Sequence, residues 1–159
     1  MAYSTGAGAQ VFYSATPNST VSTVSAYAAL TWTELTGVES IGEFGDQVQA
    51  VTATLLAEAR VRKAAGIADA GDLTITVLQD PLSASQNAVR AMVGNNFSYP
   101  IKVLLADGAD ANDTDSIFYF RVKWMSARLN PGDGNSNIRR NFVGAIDSAI
   151  VEVPSVVVA

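Results

Sequence analysis

The sequence contains no cysteine and no histidine. The first absence excludes disulfides and thiolate chemistry. The second removes the commonest general base, the commonest zinc ligand and every Ser-His or Cys-His arrangement. Charge is also scarce at the start: residues 1–33 hold no Asp, Glu, Lys or Arg, and Glu34 is the first charged side chain. Overall, 10 basic residues stand against 15 acidic ones, for a net charge of −5. A nucleic-acid binder usually has the opposite sign. No run approaches the roughly 18 uninterrupted apolar residues of a membrane span, and the start lacks the basic and apolar regions of a signal peptide. The expectation is a soluble domain folded in a cytoplasm, with no membrane anchor. Its 159 residues, 48% of them hydrophobic, are enough to bury one core.

The clearest pattern lies between Asp72 and Asp107. Leu73, Ile75 and Val77 alternate with Thr74 and Thr76, the period of a half-buried strand. Asp80 as a cap, Pro81 and a terminating Gly94 then predict a helix over about 80–94. Val89 and its apolar neighbours fall on one side of that helix. A second strand follows, with Ile101, Val103 and Leu105 on one face. A single helix of about three turns does not stand alone in water, so it must cover a face or an open end of a sheet. Everything else reads as strand or loop.

Taken in order, residues 1–30 form an uncharged stretch rich in Ser and Thr. Val11, Phe12 and Tyr13 make its first apolar patch. Such chain suits addition to the sheet edge of a neighbouring subunit, so it is expected as an arm that orders on assembly. Residues 31–154 read as one β-rich domain and 155–159 as an apolar tail. Trp32 is placed inward on a short strand. Gln47–Leu55 reads as a strand whose two faces both lack strong polarity, so both are expected to be covered, one by a partner. Arg60, Arg62 and Lys63 follow in the densest charged stretch, then a glycine-containing connection. The strongest strand signal begins at Ile117, with Phe118, Phe120, Val122 and Trp124 facing the core. A turn at residues 130–137 precedes a last long strand, bent at Gly144.

Catalytic chemistry finds little footing. Asp107, Asp110, Asp113 and Asp115 share one loop, but the twelfth position counted from Asp107 is Phe118, where a calcium loop needs a glutamate. No metal or other cofactor is expected. No carboxylate sits beside an apolar stretch that would raise its pKa. The separated basic and acidic segments instead match one another. Arg60, Arg62 and Lys63 on one copy could meet Asp107–Asp115 on the next, a head-to-tail contact that makes rings or filaments.

Trp32 with the 36–41 stretch, the Gly71-Asp72-Leu73 strand entry, the helix after Asp80, the strand from Pro100 to Leu105 ending in Asp107-Gly108, Phe118–Val122 and the 130–134 turn occur in a suggestive order. Together, over residues 30–153, they make the chain resemble the major tail tube proteins of long non-contractile-tailed bacteriophages. The resemblance implies a β-sandwich or half-barrel with one flanking helix, its sheets joining across subunits into a tube. It implies rings of six copies, stacked around a tape-measure protein. Tail terminator and tail tip proteins would be further partners, and viral DNA would pass through without specific binding. The location implied is the tail of a virion assembled in a bacterial cytoplasm. An acidic wall would repel phosphate. A terminator or joining ring protein, or a small sandwich-type binding module, are the alternatives.

Overall fold

The computed structural model describes residues 3–157. The chain runs through β1 (Gln10–Tyr13), α1 (Val24–Ala28), β2 (Thr33–Glu34), β3 (Val38–Ile41), β4 (Gln47–Leu55) and β5 (Arg60–Asp69). It continues through β6 (Asp72–Leu78), α2 (Ala84–Met92), β7 (Tyr99–Leu104), β8 (Ile117–Asn130), β9 (Arg139–Ile146) and β10 (Val151–Val153). All strand pairs are antiparallel. Among the described residues, neither helix is long and apolar enough to cross a membrane.

The main sheet has the order β2-β1-β7-β8-β9-β6-β3. The long strand β8 is its spine. β9 pairs with its second half, Val122–Asn130, and β10 pairs with its first residues, Ile117–Tyr119. The sheet curls on itself. Phe44, in the loop after β3, reaches Phe118 and Phe120 of β8, with ring centroids 5.4 Å apart in each case. The result is a mainly β, sandwich-like half-barrel with a flanking helix.

Leu73, Ile75, Val77, Ile101, Val103, Phe120, Val122 and Trp124 are buried in one cluster inside the curl. Val89 and Met92 of α2 enter the same cluster. Phe118 is half-buried against it. The helix is shorter than the predicted 80–94 span. Its N-cap is Ser83, whose side chain accepts from the Gln86 N–H, while Asp80 caps the preceding turn by accepting from the Leu82 N–H at 3.0 Å. Buried Gln86 holds the helix to the sheet by donating to the carbonyls of Thr36 (3.0 Å) and Leu78 (2.9 Å).

Several expectations need correction. A second, short helix, α1, lies on the other face of the sheet, where Tyr27 stacks on Tyr119 at 5.2 Å. Trp32 is half-buried in that second cluster, not in the main core. The expected N-terminal arm is not free over residues 10–13: β1 sits inside the main sheet between β2 and β7. Val11 and Tyr13 are buried in the core, and Phe12 lies under Lys102 at 4.3 Å. An apolar segment beside the open edge of its own β7 pairs there without the entropy cost of association. The predicted connection after Lys63 is instead β5. In the C-terminal segment, residues 155 and 156 bond back to Ser116 and Thr114. Residues 1, 2, 158 and 159, at the ends of the expected arm and tail, lie outside the described residues.

Candidate assembly interface

β3 and β6 are paired neighbours, and β4 and β5 continue that pair outward as a second hairpin. The Gly42 N–H donates to the Thr74 carbonyl at the last rung, and then residues 42–46 and 70–71 interrupt the ladder. Gly71 takes φ +72, a left-handed backbone that glycine adopts without steric cost. Beyond this break β4 and β5 pair with each other and, among the described residues, with no other strand. No residue of Gln47–Asp69 is buried. Strands of this length reach about 30 Å at ~3.3 Å per residue.

The hairpin carries an unusual surface for an exposed element. Val48, Val51, Leu55 and Val61 are all exposed, with Leu56 93% and Ile67 88% accessible. Exposed apolar groups in this density mark an interaction surface. A two-stranded hairpin is at best marginally stable alone in water. Its charge also departs from the rest. It holds three cations and two carboxylates, against seven cations and thirteen carboxylates elsewhere in the chain.

The pairing register separates the basic residues. Arg60 and Arg62 share one face with Val51, Ala53 and Leu55, and Lys63 lies on the other with Thr52 and Val61. Arg62 is paired with Glu58 at the tip, at 2.8 Å. A bulge sets two residues, Gly66 and Ile67, against Gln49. A side chain on Gly66 would meet the Gln49 carbonyl oxygen at 2.8 Å, so glycine is required there.

The acidic loop sits between β7 and β8. Asp107 accepts from both the N–H and the hydroxyl of Ser116, each at 2.7 Å, which holds its carboxyl below the ordinary range. Asp115 accepts from the Gly108 N–H (2.9 Å), and Asp113 from the Asp110 N–H (3.1 Å). Much of this carboxylate cluster is therefore engaged in shaping its own loop.

Arg121 and Lys123 point away from the main core. Arg121 donates to the Ser19 carbonyl, and Lys123 pairs with Asp147 at 3.7 Å. Glu39 is held ionised by Arg139, which donates to it through two nitrogens. Burial pulls the Lys102 ammonium down and pushes the Tyr13 and Tyr119 hydroxyls up. Among the described residues, no group of three or more carboxylates could hold a metal ion.

A cleft of about 580 Å³ opens where the curled sheet fails to close. Residues 6–9 and Leu105 form one wall, and Val38–Gly42 with Phe44 form the other. β3 ends the sheet, so its outer edge pairs with no strand among the described residues. Sequence reading missed both the cleft and the full hairpin. The only signal for β5 was the apolar Val61 and Ile67 beside an otherwise charged and small-residue run.

No family model matches the sequence, and no curated protein does. The fold is similar to a chain of the anti-feeding prophage (AFP) baseplate, solved by cryo-EM and 6-fold symmetrised. The match has a TM-score of 0.63 at 9% identity and covers 92% of this chain and 91% of that one. At that identity the likeness is one of fold.

Proposed function

We propose that this chain is a structural subunit of a phage-tail-like particle, and that copies of it assemble head to tail into rings that stack as a tube. The observation that carries this reading is the hairpin Gln47–Asp69, which projects from the body with no buried residue and many exposed apolar ones. A second subunit would supply the burial that the hairpin lacks in its own chain. The fold likeness to a baseplate chain from a six-fold particle supports rings of six. Pairing across subunits removes free sheet edges.

In this reading the tube surrounds a tape-measure protein during assembly and conducts viral DNA without binding it specifically. The net charge of −5 suits such a conduit. Terminator and tip proteins cap its ends. The protein belongs to the virion tail and is built in the bacterial cytoplasm, and its role is not enzymatic. A second reading, a single ring at the end of a tube, draws support from the baseplate as the assembly that holds the similar chain.

Negative-stain electron microscopy of the purified, concentrated chain tests both. Long hollow tubes are expected. Isolated rings would move the assignment to the end of the tube, and uniform small particles at every concentration would overturn self-assembly.

A further inference from the structure

We propose that the cleft between β3 and the residue 6–9 segment is the receptor for the hairpin tip of an adjacent copy. Leu56 is the anchor of this contact, and Arg60 faces the acidic loop beside the cleft. The proposal rests on the self-assembly reading above and names the surface that the hairpin would meet.

Three observations favour this occupant. The first is the mutual lack of partners. Among the described residues, β3 offers an unpaired strand edge beside an apolar cleft, and β4 and β5 each offer an unpaired outer edge. Strand addition satisfies both sets of backbone groups at once. The second is chemical fit. Val38, Ile41, Phe44 and Leu105 line the cleft, while Leu56 is 93% exposed at the far end of the hairpin.

The third is charge. Leu105 is followed directly by the loop that holds Asp107, Asp110, Asp113 and Asp115, whereas the tip carries Arg60 and Arg62. A Cβ on Gly8 would lie 2.9 Å from the Ala106 side chain, so the cleft wall runs straight into the acidic loop. Glu39, also on the cleft, is already neutralised by Arg139. Arg62 is likewise already paired with Glu58, so the cation of the tip that the loop would meet is Arg60.

The contact cannot be made within one chain. The hairpin springs from residues 42–46, and Gly42 and Phe44 of that segment are themselves part of the cleft. The tip therefore lies a full hairpin length away from its own cleft. A tip-to-cleft contact is heterologous, and repetition of it closes a ring or extends a filament.

The chain has no cysteine, so engineered pairs report cleanly. Leu56→Cys and Ser40→Cys change exposed residues at the tip and on β3. When the two variants are mixed, assembled and mildly oxidised, they should give a reducible heterodimer that neither gives alone. A disulfide requires Cα atoms within roughly 7 Å. The control pair is Leu56→Cys with Asn96→Cys, an exposed position in the loop after α2 that does not line the cleft. Rings or tubes without the Leu56–Ser40 cross-link, or with equal cross-linking of the control, would overturn the cleft assignment and leave self-assembly standing.

Leu56→Asp provides a second, cysteine-independent test. It should raise the concentration needed for assembly roughly tenfold or more, as loss of a buried anchor does, while the thermal melt stays put. Unchanged assembly of this variant would count against the proposal. Failure of the wild-type chain to associate at all would overturn the self-assembly reading beneath it.

Discussion

Trp124 of β8 stands directly across the ladder from Gly144 of β9. The indole is 1% exposed, and it occupies the space that a side chain at position 144 would need. A Cβ on Gly144 would lie 3.3 Å from Trp124 Cε3 and 3.1 Å from Val122 Cβ. Large and small residues thus interlock at the centre of the sheet. Gly144→Val should destabilise by about 1–3 kcal/mol through overpacking, and a chain of this size loses roughly 2–4 °C of Tm per kcal/mol. A thermal melt followed by circular dichroism reads the effect. A melt equal to that of wild type would mean that the two strands separate at no cost.

Truncation of the N-terminus separates a free arm from a structural strand. Deleting residues 1–14 removes Val11 and Tyr13 from the core and removes β1, the strand with which β2 pairs. Loss of a single large core side chain costs about 2–5 kcal/mol. The truncated chain should therefore lose cooperative urea unfolding and near-ultraviolet dichroism. A folded truncation that merely fails to assemble would restore the arm.

The basic residues of the hairpin should govern assembly and leave folding untouched. Arg60, Arg62 and Lys63 are exposed on an element that contributes nothing to the core. Reversing all three to Glu should leave the melt within about 1 °C of wild type, as surface changes usually do. Sedimentation should show the variant arrested as small species under conditions where wild type forms large ones. Added salt should weaken wild-type assembly in the same direction, because exposed charges are screened within about 8–10 Å near physiological ionic strength.

Acid should act through Asp107. The two bonds from Ser116 hold its folded pKa below the ordinary carboxylate value. As pH falls, the unfolded chain is protonated first. The stabilisation is thus complete above the unfolded value of about 3.9 and is lost as pH falls through the lower folded one. Asp107→Asn should cost about 1 kcal/mol at pH 7, and its Tm deficit should shrink as pH falls below the ordinary carboxylate range. Melts of both proteins between pH 7 and pH 2 measure this. A deficit that persists at the lowest pH would show that lost shape, and not lost charge, is responsible.

Periodicity along the chain was enough to locate the core strands and the α2 helix. Leu73, Ile75 and Val77, or Phe120, Val122 and Trp124, announce a buried face because every second residue is apolar. Helix length was overread, since Asp80 and Ser83 are both good caps and only packing against Thr36 and Leu78 selects the second. The composition likewise made metal or thiol chemistry a poor expectation. Pairing was decided elsewhere. β1 is short and uncharged, and its place between β2 and β7 depends on an open edge distant in sequence. β5 lacked a strand signal because neither of its faces is buried in this chain, so nothing imposed alternation on its residues. The cleft belongs to the curl of the sheet, which brings β3 opposite β7, and only long-range packing creates it.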